Sequence, residues 1–309
     1  MRKPELLVTP KSVEDIIPLC AAGADAFVIG EQHFGLRLAG EFLRKDVETA
    51  ISNAHSLGKK VYVAVNALFH NDRVSELNNY LAFLDAAGAD AAIFGDPAVI
   101  IAAREAAPNL KLHWSTETTA TNWYACNYWG RKGAKRVVLA KEINLDSIIE
   151  IKEHAEVEIE VQVHGMTAMF QSKRTLLQNY FFYQGKNIAD AKANLHEKML
   201  LHDHDRNNKY PIFEDENGTH IMSPNDVCMI DELQEMIEAG IDAFKIDGIL
   251  KDSPYIEAVT KLYRKAIDLC VEDPDHYGEE KDRLYSQIEK IQPQGRPLDT
   301  GFFFKETVY

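Results

Sequence analysis

Ala21-Ala22-Gly23-Ala24-Asp25-Ala26-Phe27-Val28-Ile29-Gly30 reads as the end of a helix, a glycine, and then a short apolar strand. The pattern returns as Ala86-Ala87-Gly88-Ala89-Asp90-Ala91-Ala92-Ile93-Phe94-Gly95, and again as Glu238-Ala239-Gly240-Ile241-Asp242-Ala243-Phe244-Lys245-Ile246-Asp247-Gly248. A weaker copy is Arg131-Lys132-Gly133-Ala134-Lys135-Arg136-Val137-Val138-Leu139. Glycine takes the left-handed conformation at a helix C-cap without Cβ strain, so each copy marks a helix that stops and hands over to a strand. Repeated junctions of this kind imply parallel strands joined by helical crossovers.

Working outward from the four copies, the apolar runs predict eight strands, near Glu5–Val8, Ala26–Ile29, Lys60–Val65, Ala91–Phe94, Lys111–Trp114, Arg136–Leu139, Glu158–Val163 and Ala243–Ile246. Amphipathic stretches lie between them at Val13–Ala22, Val47–Leu57, Val74–Ala86 and Asn225–Ala239. In the last, Val227, Ile230, Leu233, Met236 and Ile237 fall at helical spacing, with Ser223-Pro224 as cap and first-turn proline. Eight βα units predict an α/β fold, a (β/α)8 TIM barrel. A doubly wound open sheet is the rival, but no GxGxxG follows any strand.

The spacing breaks once. About sixty residues separate Val163 from the predicted helix at Asn225, too many for a structureless loop. The segment 166–222 is therefore predicted to be a helical insertion after strand 7, capping the C-terminal mouth. The barrel is assigned residues 1–275 with this insertion, and 276–309 a less regular tail packed on it, with Phe302-Phe303-Phe304 as an apolar plug.

Composition agrees with a folded cytoplasmic protein. The 309 residues are 46% hydrophobic and 27% charged, which excludes a disordered chain. No apolar run approaches the ~20 residues that span a bilayer, and the N-terminus lacks the features of a signal peptide. Cys20, Cys126, Cys228 and Cys270 are widely spaced, form no CxxC pair and fall in segments read as helix, so they are expected as buried free thiols. A net charge of −14 opposes nucleic-acid binding over the surface as a whole. It leaves room for a local basic patch, such as Lys173 with Arg174 or Lys245 with Lys251.

Barrel proteins carry their chemistry at the C-terminal strand ends. Those positions here hold Glu31, Asn66, Asp96, Ser115 with Thr116, Lys141 with Glu142, His164 with Gly165, and Asp247 with Gly248. His164 is the titrating candidate at neutral pH, with Glu142 and Asp96 as accompanying carboxylates in a catalytic reading. Arg37, Asn66, Ser115, Thr116, Lys245 and Asp247 are candidates for binding a small anion, Arg37 through its bidentate fork. An inward Lys245 needs a partner, for which Asp96 and Glu142 are the candidates. For each residue taken alone, a loop cap or a satisfied hydrogen bond is an equally ordinary role. His202-Asp203-His204-Asp205, with His196 nearby, suggests a metal site, but its charged, helix-like surroundings read as a solvated turn, and no metal is expected. HExxH and GxSxG are both missing, which gives no support to a self-contained hydrolase.

Taken together, these residues resemble the peptidase U32 family. The resemblance runs from Pro4-Glu5-Leu6-Leu7 through Gly23-Ala24-Asp25, Asn66, Ser115-Thr116, Arg136-Val137-Val138-Leu139 and Glu160 to His164-Gly165. It continues in Ser223-Pro224-Asn225-Asp226, Lys245-Ile246-Asp247-Gly248, Tyr255, Tyr263-Arg264 and Thr300-Gly301-Phe302. It implies either a collagenase-like protease or a subunit for tRNA wobble-uridine or ribosomal RNA hydroxylation, with prephenate as a co-substrate and an iron–sulfur cluster. Ala168 and Thr175 stand where the family carries cysteines, Lys173 replaces a glycine, and the expected cysteines are missing from Asp205–Ile212. Ile249 replaces an arginine, and Glu117 stands where glutamine is usual. The chain thus resembles a short, cysteine-less member, with any iron–sulfur cluster supplied by a cysteine-bearing U32 paralogue and tRNA met through that complex. A non-catalytic anion-binding or scaffold barrel, and a homo-oligomer, stay open.

Overall fold

The computed structural model describes residues 1–116, 119–186 and 199–305. Glu117 and His196 lie outside them. Eight parallel strands close into a barrel: β1 (Glu5–Val8), β2 (Ala26–Ile29), β3 (Lys60–Val65), β4 (Ala91–Phe94), β5 (Leu112–Trp114), β6 (Ala134–Val138), β7 (Glu158–Gly165) and, after the insertion, β13 (Ala243–Ile246). Closure is made by β13 pairing with β1 on one side (Glu5 to Ala243) and with β7 on the other (Ala243 to Glu160). The helices outside are α1 (Ile16–Ala21), α2 (Arg44–Ser56), α3 (Leu77–Ala87), α4 (Pro97–Ala106), α5 (Trp123–Lys132) and α6 (Leu145–His154). In α2, Val47, Ala50, Ile51 and Ala54 are buried at helical spacing against the sheet.

The repeated junction has a physical purpose. Gly88 and Gly133 close α3 and α5 with φ of +83° and +116°, the region glycine enters without strain. The aspartate two residues beyond the glycine then accepts the backbone amide of the preceding strand. Asp25 takes Leu6 N at 3.0 Å, Asp90 takes Val61 N at 2.8 Å, and Asp242 takes Ile159 N at 2.8 Å. These carboxylates satisfy strand-start amides that the parallel ladder leaves over.

The insertion differs from expectation. Its described part is mainly an antiparallel sheet of four strands, β8 (Ala168–Ser172), β9 (Leu200–Asp203), β10 (Asn208–Asp215) and β11 (Gly218–Met222), in the order β8-β11-β10-β9. A single helix in the described part, α7 (Leu176–Tyr183), rests on it. The sheet does cover the mouth: Met222 packs with Met166 and Ile249, and Asn217 Nδ2 donates to the carbonyls of Gln32 and Gly35 in the β2 loop. His202 to Asp205 form the end of β9 and its turn, where Asp203 accepts the amides of Asp205 and Arg206.

The helix expected from Asn225 begins only at α8 (Leu233–Glu238). Residues 226–228 instead form β12 (Asp226–Cys228), antiparallel to the end of β7 and parallel to β14 (Leu298–Asp299). Ser223 is no helix cap; its hydroxyl donates to Asn225 O and accepts Thr167 N, tying the two ends of the insertion together. Cys228 accordingly lies on a strand, whereas Cys20 and Cys126 lie on helices as read. The C-terminal region is more regular than expected. Helix α9 (Ser253–Glu272), which carries Cys270, is followed at once by the 18-residue helix α10 (Pro274–Ile291), which buries Tyr277, Leu284 and Ile288. Only Phe303 of the three phenylalanines enters the core; Phe302 and Phe304 are exposed.

Candidate functional site

Alternation along each strand sends every second residue into the lumen. At its lower end Arg136 is held by Glu5 and Glu158, each at 2.7 Å, with Glu160 at 3.5 Å, and the Tyr62 hydroxyl donates to Glu5. Above this lies an apolar belt that includes Leu7, Val28, Tyr62 and Ile93. Above the belt opens a small cavity of about 50 Å³, floored by Glu160, Gln162, Lys245 and Asp247. An outer compartment of about 310 Å³ adjoins it, walled by Thr116, Glu142 and the insertion residues Ala168 to Gln171. Arg37, Asn66, Ser115 and Lys141 line both.

The six residues expected to bind an anion thus line the two adjoining compartments. Asn66 Oδ1 accepts Leu36 N at 2.9 Å, which fixes the loop carrying Arg37. Arg37 itself has φ of +51°, an unusual conformation for a side chain other than Asn or Gly and one that costs of order 1–3 kcal/mol. Lys245 pairs with Asp247 at 3.0 Å, not with the expected Asp96 or Glu142. Thr116 shares its hydroxyl with Thr119 at 2.5 Å. Among the described residues, Arg37, Lys141 and Lys245 line the inner cavity with the carboxylates Glu160 and Asp247, and Glu142 lines the outer compartment. Burial pushes the Glu160 carboxyl up, opposed by Arg136. Its Oε2 has only the long ion pair to Arg136 Nη1 at 3.5 Å, and Oε1 of buried Gln162 has no hydrogen-bond partner among the described residues. An unsatisfied acceptor and a weakly paired carboxylate on the floor of a pocket lined by cations are suited to a ligand that brings donors as well as negative charge.

Glu160 and Gln162 were not among the expected site residues. The signal for them was present, since both alternate with Ile159, Val161 and Val163 along β7.

The three residues read as catalytic do not meet. Glu142 lines the outer compartment. Asp96 caps α4 through Ala98 N at 2.9 Å and holds Phe69 N at 3.1 Å, so its oxygens serve the backbone. His164 is fully buried and lines neither compartment. The reason is a register shift in β7, where Lys245 pairs with Gln162 but Ile246 pairs with His164; the extra residue re-aims the imidazole away from the lumen. It lies 2.8 Å from the Tyr255 hydroxyl, which donates to Gln292 Oε1, and Gln292 Nε2 donates to Asp226. Asp226 in turn binds buried Lys251 and Arg296. Lys251 therefore belongs to this buried ion cluster and not to a surface patch with Lys245.

Burial brings the His164 imidazole down to about 4. Between its ordinary 6.5 and that value the unfolded chain takes up a proton that the folded chain refuses, so stability falls as pH falls through this window. The slope from one such group is about 1.4 kcal/mol per pH unit. His113, also pushed down by burial, adds to it. Urea titrations at pH 7 and pH 5 are expected to show a smaller loss for His164→Gln than for wild type; an identical loss would contradict this account.

The thiols are not disposed to react or to hold a metal cluster. Burial pushes Cys126 and Cys270 up to about 11 and Cys228 up to about 12, while cluster ligation and nucleophilic attack need thiolates. The four cysteines lie on α1, α5, β12 and α9. Ala168 on β8 and Thr175 before α7, where the resemblance implies cysteines, supply no sulfur. An iron–sulfur cluster does not fit the residues of this chain, and among the described residues no three His, Cys, Asp or Glu side chains are grouped to hold a metal ion. No helix of the described residues is long and apolar enough to cross a membrane.

A closed barrel of eight parallel strands with a cationic pocket at the C-terminal strand ends defines a TIM-barrel protein whose site is built by its βα loops. The chain belongs to peptidase family U32, whose pattern matches residues 11–308. It is 68% identical over 309 residues to tRNA hydroxylation protein P2 of Bacillus subtilis (strain 168), covering 100% of each chain. It is 34% identical over 303 residues to tRNA hydroxylation protein P1 of the same organism, covering 98% of this chain and 71% of that one. Among solved structures, a dihydrodipicolinate synthase superposes with a TM-score of 0.52 at 12% identity, over 96% of this chain and 91% of that one. That likeness concerns the barrel alone.

Proposed function

We propose that this chain is a subunit of a tRNA hydroxylation system that places a hydroxyl on carbon 5 of the wobble uridine. The observation that carries this reading is the 68% identity to tRNA hydroxylation protein P2 over the full length of both chains. A paired arrangement is supported by the coexistence of P1 and P2 relatives in one organism. The partner of this chain would be a longer, cysteine-bearing paralogue that supplies the cluster for which this chain lacks ligands.

The pocket supports the same reading chemically. Arg37, Lys141 and Lys245 would hold the carboxylates of a small dianion such as prephenate, with Ser115 donating a hydroxyl hydrogen bond. Glu160 and Gln162 would accept from its hydroxyl. The insertion would exclude water from one side and leave the outer compartment as the route for a base. A peptidase is disfavoured because His164 pairs with phenols and Cys228 accepts from Tyr263, with no thiolate prepared to attack. In cells lacking this chain, nucleoside mass spectrometry of total tRNA is expected to show loss of 5-hydroxyuridine-derived nucleosides. An unchanged nucleoside profile would remove the proposal.

A further inference from the structure

The insertion exposes three aromatic rings close together on one short helix. Tyr180 is 56% exposed, Phe182 76% and Tyr183 86%, all on α7. Only Leu177 of that helix is buried. The helix is held by its first turn, where Leu176 N and Leu177 N donate to Thr219 Oγ1 and Glu214 Oε1 at 2.9 and 2.6 Å. Burial of a core therefore does not explain these rings, and an exposed patch of this kind marks a binding surface.

Charge identifies the occupant. The chain carries 48 Asp and Glu in 309 residues, yet none occurs between Glu160 and Asp190. The same stretch contains the exposed cations Lys173, Arg174 and Lys186. Rings flanked by cations, in an acid-free segment of a chain with net charge −14, suit a polyanion whose flat groups can stack. A duplex hides its base faces, whereas an unpaired loop offers them. The segment also leads to the pocket. Met169, Phe170 and Gln171 wall the outer compartment and are followed directly by Lys173, Arg174 and α7.

We propose that residues 170–186 form a stacking platform for unpaired RNA, with Tyr180, Phe182 and Tyr183 under the bases and Lys173 and Arg174 on the phosphates, leading a splayed-out base toward the barrel mouth. The proposal rests on the tRNA reading above and adds the surface that reads the loop. Its test is fluorescence anisotropy of the full chain with a short synthetic RNA stem-loop and with a blunt duplex of similar length. Wild type is expected to prefer the stem-loop. The triple variant Tyr180→Ala, Phe182→Ala, Tyr183→Ala is expected to lose at least about tenfold in stem-loop affinity, as expected for one or two lost stacking partners, with an unchanged melting temperature. Lys173→Glu with Arg174→Glu is expected to flatten the salt dependence, by about 0.7 in log–log slope per lost phosphate contact.

No stem-loop binding by wild type, equal binding of duplex and stem-loop, or undiminished affinity in the triple variant would each overturn it. So would a triple variant that keeps its RNA affinity but no longer co-purifies with the cysteine-bearing paralogue, which would make the surface a protein interface. Failure of the hydroxylation reading is separate: it would appear as unchanged tRNA nucleosides in cells lacking the chain while the purified protein still binds the loop.

Discussion

Asp226→Ala is expected to destabilise the fold by about 3–5 kcal/mol, the range for removing one partner of a buried ion pair. Asp226 is fully buried between Lys251, itself buried, and Arg296, and it also accepts from Gln292. Burial alone would raise its carboxyl, but Lys251 and Arg296 together hold it below the usual aspartate range. Its removal strands two cations out of water. It also removes a tie among three parts of the chain: the exit of the insertion, the β13 loop that carries Lys251, and the C-terminal residues 292–299. Arg296 further donates to the carbonyls of Ser223 and Pro224, so the insertion is expected to lose its seat over the mouth along with the stability. Urea denaturation measures the first effect and limited proteolysis within 166–222 the second. An Asp226→Ala protein within about 1 kcal/mol of wild type would show that water replaces the carboxylate at little cost.

Gly165→Ala is expected to cost at least about 3 kcal/mol, the sum of backbone strain and a clash. Gly165 has φ of +101°, and a Cβ there would lie 2.2 Å from the carbonyl oxygen of Asp247 and 3.1 Å from its carbon. Both obstacles are backbone, at the point where β7 and β13 converge on the pocket floor. Relief requires Asp247 to move, which disturbs its ion pair with Lys245. Gly58→Ala is the control, since Gly58 also has positive φ, +68°, but nothing lies within 4 Å of its added Cβ. The difference between the two variants in denaturation free energy isolates the clash. If they are destabilised equally, the close approach at Gly165 contributes nothing.

Much of the barrel was legible because it rests on local signals. A glycine C-cap followed by apolar residues fixes where a helix ends and a strand begins, and five of the eight strands fall at the bounds read from sequence, with β5 and β7 shifted by one or two residues at one end and β6 at both. The insertion was legible as a break in spacing but not in its content. Its strands carry weak alternation, β8 pairs across a long separation with β11, and the apolar residues of Leu176–Tyr183 other than Leu177 stay out of the core. The stretch from Val227 to Ile237 has helical spacing, yet tertiary pairing of Val227 and Cys228 with the end of β7 overrides it.

The site divides along the same line. Asn66, Ser115, Thr116 and Asp247 follow from strand ends, Arg37 from the second βα loop and Lys245 from its place within the eighth strand. His164 also stands at a strand end, but a single-residue register shift turns it into the buried hydrogen-bond chain to Asp226, and no local feature of the sequence announces such a bulge. Asp96 and the aspartates of the repeated junction are polar for the same reason as one another, since each satisfies backbone amides.

The barrel-mouth pocket is proposed to take part in tRNA hydroxylation. Its most direct test is to restore cells lacking the chain with wild type, Arg37→Ala or Lys245→Met and to quantify 5-hydroxyuridine-derived nucleosides in their tRNA by mass spectrometry. Wild type is expected to restore them in full, while the two pocket variants, produced at equal abundance and still co-purifying with the paralogue, restore less than about a tenth. Full restoration by both pocket variants would contradict the account and leave the chain a scaffold.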